Sequence, residues 1–364
     1  MSGLVVGEDQ KPLTRCGYPP HESLKQFETS LVESGTVAIG KAMHFSADII
    51  CSGGYTVWIR TIWDYVISHV GLASPRVFVY LAKRFKELDE MEKKYPSEEL
   101  YKNTEFQTRI AEIVMVLREI PRRPKLVWPK VGPETHREGW IYKVSSAAET
   151  AAVQKVWKRE GDLPVLRLAG NELLSAVKDG STEKTLYWIR WILDEDASMK
   201  KENRGASLTT VHRGTGGGSD VGNYIAELFL EAYRDLARQS LIRMNEEFLC
   251  LIQLWRGQDA RITPSGRKQI LALLGQIVSE VPRWKVPAAP SLIKDPVQVS
   301  RAVNQSYKFF HEVLVYPRIA QTKQLEKLFK AKGPATAKPK DEKTLSMEDK
   351  IDAYDRVVNA YFNK

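Results

Sequence analysis

Histidine and cysteine are the residue types best suited to bind metals or act as nucleophiles, and in this chain they are scattered. The histidines form no pair at four-residue spacing and no HExxH motif, so a metal site would need ligands from distant segments. The cysteines form no CxxC pair, which argues against a zinc site or a disulfide framework. We therefore expect no cofactor and no metal. The histidines are at positions 21, 44, 69, 136, 212 and 311, and the cysteines are Cys16, Cys51 and Cys250.

Two other segments contain groups that could bind a ligand. Gly214–Asp220 (GTGGGSD) places glycine amides before a predicted helix, as phosphate-binding loops do. No strand precedes it, however, and its acidic last residue would repel a phosphate, so we interpret it as a mobile loop. Asp194–Asp196 (DED) could bind Mg²⁺, but it ends a predicted helix close to two lysines. We interpret it as a solvated helix end.

Basic residues give the strongest functional signal. The formal net charge is +9, and two short segments account for it, with +4 between Arg118 and Lys130 and +6 between 318 and 340. In the first segment two prolines keep the backbone extended beside a tryptophan that could stack on a base. Because such cations neutralise phosphates regardless of sequence, we predict contact with DNA or RNA; the alternative is a solvated connector and tail. The predicted nucleic-acid-binding residues are Arg118, Arg122, Arg123, Lys125, Trp128, Lys130, Lys327, Lys330 and Lys332.

Length and composition narrow the class of protein. The chain has 364 residues, of which 43% are hydrophobic and 27% charged, which is ordinary globular composition with room for two domains. Glu8 and Asp9 interrupt the only apolar run at the N-terminus, so a signal peptide is not expected. No window reaches the roughly 18 apolar residues of a membrane helix. We expect a soluble intracellular protein of the cytoplasm, the nucleus or a viral factory, or one packaged in a virion.

The hydrophobic pattern predicts the elements that must position these residues. Apolar side chains recur at three- and four-residue steps, and no segment alternates with the period of a strand. This pattern predicts an all-α fold with two helical-bundle units, separated where proline and glycine accumulate. The predicted regions are a flexible arm (1–22), a first helical unit (23–120), a Pro/Trp-rich connector (121–144), a second helical unit (145–333) with a mobile loop (200–220), a linker (334–345) and a terminal amphipathic helix (346–364).

Aromatic residues concentrate in the second half. Tyr187, Trp188 and Trp191 make one predicted helix apolar over most of its circumference. Such a helix is either central to its domain or an interaction surface, and we predict protein partners or self-association through these three residues. Trp128 and Trp140 fall in the connector, outside the predicted helices. The connector could strap across a helical groove or bind a partner peptide.

Two predicted helices share a pattern. They are KAMHFSADIICSG (Lys41–Gly53) and KTLYWIRWILDED (Lys184–Asp196). Each follows a short helix and a glycine-containing turn, and each places two adjacent aromatic rings in the same helical phase. The shared pattern indicates either an internal duplication or a chance similarity between two amphipathic helices.

The first of these helices begins a longer segment that resembles a known family. The run AMHFSADIICSGGYTVWIRTIWDYVISHVGLASPRVFVYLA (Ala42–Ala82) resembles the C-terminal helical domain of MgsA/RarA-type AAA ATPases, relatives of replicative clamp loaders. In both, an aromatic-containing helix ends in a glycine turn, and a Gly-Leu-Ala-x-Pro segment, here Gly71–Pro75, opens the third helix. The acidic residue that precedes this segment in the family is missing. The resemblance covers about Leu24 to Lys125, and the whole chain resembles uncharacterised proteins of large eukaryotic DNA viruses.

The resemblance implies a scaffold and not an ATPase. In that family the C-terminal domain is a helical collar that holds subunits together, whereas nucleotide hydrolysis needs a G-x-x-x-x-G-K-[ST] loop, which this chain lacks. We therefore predict a non-enzymatic scaffold or adaptor in a DNA replication- or repair-related assembly, with sequence-independent nucleic-acid contact. The first alternative is a structural or packaged virion protein. The second is an enzyme whose site is assembled from distant residues.

Overall fold

The structure is a computed structural model. Its regular structure is helical in the described part of the chain, and one isolated β-bridge joins Asp162 to Thr209, which confirms the predicted all-α class. None of the helices that the structure describes is both long and apolar enough to cross a membrane. The linker, the terminal helix and Lys327, Lys330 and Lys332 lie outside the described residues. The structure describes residues 13–137, 139–202, 206–213, 220–239, 246–257, 259–280 and 292–315.

Most helices start at a proline, a capping side chain or a glycine turn, as the sequence pattern predicts. The helices are α1 (Pro20–Val32), α2 (Thr36–Ile49), α3 (Tyr55–Tyr65), α4 (Arg76–Lys94), α5 (Ser97–Lys102), α6 (Thr104–Glu119), α7 (Trp140–Val144), α8 (Ala151–Val156), α9 (Pro164–Lys178), α10 (Thr182–Glu202), α11 (Asp220–Arg238), α12 (Glu246–Trp255), α13 (Pro264–Glu280), α14 (Pro296–Asn304) and α15 (Ser306–Val315).

The helices form two compact units whose boundaries differ from the predicted ones. Helices α14 and α15, expected in the second unit, pack on α2 and α6 of the first. The predicted connector belongs to the second unit, together with the Gly-Leu-Ala-x-Pro segment. These assignments depend on contacts between distant segments, which periodicity does not reveal. Unit 1 contains the described residues within 13–65, 81–120 and 292–315, and unit 2 contains those within 66–80 and 121–280.

Unit 1 has a core of interlocking aromatic rings. Trp58 of α3 is fully buried between Phe27 and Phe85, with ring centroids 6.1 and 6.4 Å away. Its indole nitrogen donates to Ser46 Oγ of α2 at 3.1 Å, so the polar edge of the ring is also satisfied. Trp63, likewise fully buried, meets Phe85 edge-on at 5.3 Å. Both tryptophans are core residues.

The prediction of a flexible arm over residues 1–22 is wrong for residues 13–22. Thr14 and Tyr18 are buried, and Pro20 begins α1. The Cys16 amide donates to Asp48 Oδ1 at 3.0 Å, so a carboxylate on α2 fixes this turn. Proline content suggested an extended arm, but here Pro19 directly precedes α1 and Pro20 is its first residue, positions where no amide hydrogen is needed.

The glycine turn after α2 is a π-helical turn, Ile50–Gly54, that leads directly into α3. Gly53 has a φ of 85°, a left-handed conformation that glycine adopts without strain. The expected end of the helix is confirmed here.

Unit 2 is built around α13, which contacts α9, α10, α11 and α12. Gly275 lets α10 approach closely, because a Cβ atom at this position would lie 2.8 Å from Ile189 Cδ1. Trp255 is buried and donates to Asn223 Oδ1 at 2.8 Å. Tyr233 and Phe248 are buried and stack with ring centroids 4.0 Å apart.

The segment 200–220, predicted as a mobile loop, makes buried contacts along its described part. Lys200 still belongs to α10, and Leu208 and Thr209 are buried. Asp196 accepts hydrogen bonds from Ser207 Oγ at 2.6 Å and from the Leu208 amide at 3.0 Å. Composition suggested a solvated segment, but a buried carboxylate anchors it. The same contacts correct the expected solvated helix end, since Asp196 is only 5% exposed.

Candidate functional site

The predicted basic connector, residues 121–144, lies along unit 2, and we call it the strap. Its first anchor is Arg123, whose amide donates to the His69 carbonyl at 2.8 Å and whose Nη1 donates to Gln276 Oε1 at 3.0 Å. The guanidinium lies so close to Gly71 that a Cβ there would be 2.5 Å from Arg123 Nε. Burial lowers the pKa of Arg123, although Glu280 opposes this effect. Arg123 therefore anchors the strap, and the structure corrects its predicted role in nucleic-acid contact.

Arg118 is also engaged within the protein. It lies in the last turn of α6 in unit 1, where its guanidinium donates to the carbonyls of Ser30, Glu33 and Gly35. The distances to Glu33 and Gly35 are 2.8 and 3.4 Å. A cation that caps the carbonyls of a helix end is favourable, since those groups lack helical partners. Arg118 is thus a cap for α1, which corrects its predicted nucleic-acid contact.

The other predicted strap residues remain at the surface. Arg122, Lys125 and Lys130 are exposed, and Trp128 is partly exposed between the two lysines. Val127 beside it is 83% exposed. Of the five cations predicted between residues 118 and 130, three are therefore exposed at the surface, and their contact with nucleic acid stays a prediction.

Side chains of α10 hold the middle of the strap through its backbone. Arg190 Nη1 donates to the Pro129 carbonyl at 2.9 Å, while its Nε bonds Asp194 Oδ2 at 3.1 Å. Trp191 Nε1 donates to the Thr135 carbonyl at 3.2 Å. An extended segment has no internal ladder of hydrogen bonds, so these donors satisfy carbonyls that would otherwise depend on water.

Aromatic rings hold the second half of the strap. His136 stacks on Trp191 with centroids 5.7 Å apart and planes 10° apart, and its Nδ1 bonds a carboxylate oxygen of Glu195. Trp140 lies 6.2 Å from Trp188 and 5.9 Å from Trp191. The predicted interaction surface is therefore covered in part by the same chain, as one of the two interpretations of the connector proposed.

The three predicted interaction residues differ in exposure. Trp191 is 1% exposed and is not available to a partner while the strap is bound. Tyr187 and Trp188 are partly exposed and meet edge-on at 5.4 Å. Sequence reasoning missed His136 and Glu195 as contact residues; the only signal was that both fall in segments singled out for other reasons.

A second polar cluster in unit 2 fixes the segment that follows α10. Arg213 is 5% exposed, and it donates to Thr209 Oγ1 at 2.9 Å, to the Val156 carbonyl at 3.2 Å and to Asp162. Its Nε lies 3.5 Å from Glu227 Oε2, a carboxyl whose pKa is raised by burial. Because each nitrogen of this guanidinium is engaged by the protein, the cluster is a structural lock.

The titratable groups do not gather into a metal site in the part of the chain that the structure describes: no group of three or more His, Cys, Asp or Glu side chains there could hold an ion. The exposed cations and the tryptophan of the strap are therefore the arrangement with the clearest ligand chemistry. They fit an extended polyanion, such as a nucleic-acid backbone.

The comparisons with known proteins place the chain in no group. No family model, no curated protein and no solved structure matches this chain.

Proposed function

We propose that this protein is a non-enzymatic helical scaffold or adaptor in a DNA replication- or repair-related assembly. In this proposal it contacts nucleic acid regardless of sequence through the strap. The observation that carries the proposal is the row of Arg122, Lys125 and Lys130 on an extended segment that also bears Trp128. Cations of this kind neutralise phosphates, and a tryptophan offers a face on which any base can stack.

The fixed backbone of the strap supports the proposal. The strap is bonded at Arg123, Pro129 and Thr135. Lys125 and Lys130 lie between these points and Arg122 directly before them, so the three cations are held in a row. An ordered row loses less conformational entropy on binding than a free tail does. Binding through it is expected to be weak, salt-dependent and insensitive to base sequence.

The use of the buried charged groups supports a non-enzymatic role. In unit 1, Asp48 accepts from Cys16 and from Ser23 Oγ, the latter at 3.1 Å. In unit 2, Arg213 and Asp162 bond each other and the backbone around them. Groups that are fully used in structural hydrogen bonds are poorly placed to exchange protons with a substrate.

The scaffold part of the proposal rests on the family resemblance and on unit 1. The segment that resembles the clamp-loader collar supplies α2 and α3, two of the most buried helices of that unit. A collar of this type joins subunits, so the proposal includes a protein partner or a second copy of the chain.

The test is nucleic-acid binding by the full chain, measured by fluorescence anisotropy with labelled single-stranded DNA, duplex DNA and RNA. With three cations engaged, the slope of log affinity against log salt is about −2 on a single strand. The variant R122E/K125E should bind at least about tenfold more weakly at low salt and show a shallower slope. It replaces the more obvious R122E/R123E, because Arg123 anchors the fold.

The matched control is K25E/K86E, which reverses two exposed lysines of unit 1 and changes the net charge equally. It should bind within about twofold of the wild type, because these lysines are outside the strap. Equal loss in both double variants would mean that net charge and not the strap drives binding. Absence of binding by the wild type at low salt would overturn the proposal.

A further inference from the structure

Side-chain burial in the first half of the strap repeats every three residues. The partly buried residues of this repeat, which we call the inner edge, are Arg123, Leu126 and Pro129. The exposed residues, which we call the outer edge, are Pro121, Pro124 and Val127. The inner edge bonds the rest of unit 2, since Arg123 donates to Gln276 and the Pro129 carbonyl accepts from Arg190. The strap therefore has one edge on the protein and another in water.

A repeat of three residues is typical of polyproline II, a left-handed extended helix. The backbone angles on both sides of this segment agree with it. Ile120 has a φ of −66° and a ψ of 146°, and Gly132 has a φ of −76° and a ψ of 144°. The residues between them belong to no helix or strand, and three of them are prolines, which fix φ at about −65°. The outer edge is therefore one edge of a polyproline II helix, with its side chains about 9 Å apart.

The chemistry of the outer edge suits a protein partner. Two proline rings and a valine carry no charge and no side-chain hydrogen-bond donor, so they add nothing to the binding of a phosphate. The valine, Val127, is 83% exposed. Segments of polyproline II pack their apolar side chains into grooves lined by aromatic rings. Because the inner edge is already bonded to unit 2, the strap loses little conformational entropy when a groove closes on the outer edge.

Charge beside the outer edge describes the partner further. Lys130 is the next exposed residue after Val127 along this edge, and Lys125 is exposed directly after Pro124. The sequence from Pro121 to Pro133 contains no Asp or Glu that would neutralise these lysines locally. A groove with carboxylates at its rim would complement both the apolar side chains and the two cations.

We propose that the outer edge is a docking site for a protein domain that binds polyproline II segments through an aromatic groove with an acidic rim. This inference names the chemistry of the protein partner in the adaptor role, and it rests on that part of the proposed function. The inner edge stays bonded to α10 and α13 while the partner is bound. A three-edged helix that has one edge on its own protein still offers the other two to a groove.

The experiment measures binding of the full chain to a panel of purified SH3 and WW domains, two classes of domain that bind polyproline II segments. Biolayer interferometry at low and at high salt gives the affinities. We expect at least one domain to bind. Its affinity should fall in high salt, because salt screens the attraction between the lysines and the acidic rim.

The variant P124A/V127S shortens the side chains of the outer edge and keeps every charge. It should bind the same domain at least about tenfold more weakly. The matched control is P296A/V297S, which makes the same changes at an exposed proline and an exposed valine of unit 1. The control should bind within about twofold of the wild type.

A second pair of variants keeps the test valid if the change of a proline loosens the strap. Val127→Asp leaves both prolines in place and sets a carboxylate against the acidic rim, so it should also weaken binding by at least about tenfold. Val297→Asp, at a valine that is 78% exposed, is its control. Amide exchange in the strap and α10 should match the wild type in Val127→Asp, because this side chain is in water.

The outcomes separate the docking site from the nucleic-acid contact. The expected result is loss of domain binding in P124A/V127S with oligonucleotide binding unchanged, since that variant keeps all the cations. Oligonucleotide binding by the wild type without binding of any domain in the panel would overturn the docking site and leave the nucleic-acid proposal standing. Unchanged domain binding in Val127→Asp, or equal weakening in its control, would overturn the outer edge as the contact. Absence of both kinds of binding would overturn both proposals.

Discussion

Helices α2 and α10 carry the same aromatic pattern and are covered in different ways. Every residue of α2 from Ala42 to Ile49 is buried, and its neighbours in unit 1 are α1, α3, α6 and α15. In α10, Trp191 is buried but Tyr187 and Trp188 stay partly exposed, and the cover over them comes from the strap.

The difference shows that an apolar helix does not specify what covers it. The helices that cover α2 satisfy their own backbone hydrogen bonds. Side chains of α2 therefore need to supply few hydrogen-bond donors to them. The strap has no such ladder, and α10 must supply Arg190 and Trp191 to its carbonyls. A helix that supports an irregular segment therefore needs polar groups at its surface, which is why the aromatic stripe of α10 is interrupted by charge. The proposed internal duplication stays a prediction.

The largest expected effect is a difference in stability between two variants, each of which truncates an aromatic side chain in one of the two helices. Phe45→Ala in α2 removes a ring that is 1% exposed, and we expect a loss of about 3–5 kcal/mol in the free energy of unfolding. Trp188→Ala in α10 removes a partly exposed ring, and we expect about 1–2 kcal/mol from its lost ring contacts. Urea unfolding, with hydrogen exchange to locate the change, measures both. A larger loss for Trp188→Ala would contradict the comparison.

The next effect concerns acid stability of unit 1. Burial lowers the pKa of His44 on α2 to about 3, below the value of about 6.5 in an unfolded chain. The unfolded chain therefore binds the proton first, so stability is intact above about pH 6.5 and falls as the pH drops towards 3. The loss reaches about 2 kcal/mol at about pH 5.

A substitution tests this cause. His44→Phe should remove the acid slope, because a phenylalanine ring does not bind a proton. The fold should accept this ring, since the imidazole already packs edge-on against Tyr18 and Phe45. His21→Phe changes an exposed imidazole and should keep the slope. Urea midpoints between about pH 7 and pH 5 give the comparison. An unchanged slope in His44→Phe would show that another group causes the acid sensitivity.

The smallest effect concerns the hold of α10 on the strap. His136→Ala removes the stacking on Trp191 and the contact with Glu195, and we expect a loss of about 1 kcal/mol. Amide exchange should accelerate in strap peptides and remain unchanged in α2. His212→Ala, at an imidazole that is 92% exposed, is the control. Unchanged exchange in the strap would mean that the backbone bonds to Pro129 and Thr135 are sufficient to hold it.

The sequence predicted the helices better than their grouping. Periodicity predicted the all-α class, because a buried helical face repeats every three to four residues. It did not show that α14 and α15 join unit 1, since that depends on contacts across more than 170 residues between α6 and α14, such as Glu119 Oε2 with the amides of Lys294 and Asp295.

The candidate site was predictable in part for a related reason. Charge and proline identified the strap and its cations from residues 118 to 130 alone. The role of each cation depended on its surroundings: Arg118 caps α1 and Arg123 bonds Gln276, while Arg122, Lys125 and Lys130 are exposed. The bond between the Arg123 amide and the His69 carbonyl could not be predicted, because it joins segments more than 50 residues apart.

The amino-acid sequence by itself determined the all-α class, the apolar face of each long helix and the focus of positive charge. These properties are local, since each depends on residues within a few turns of one another. Only the tertiary structure decided which cations became anchors and which helix the strap covers. These depend on long-range packing, in which a side chain is occupied or exposed according to partners that are distant in the chain.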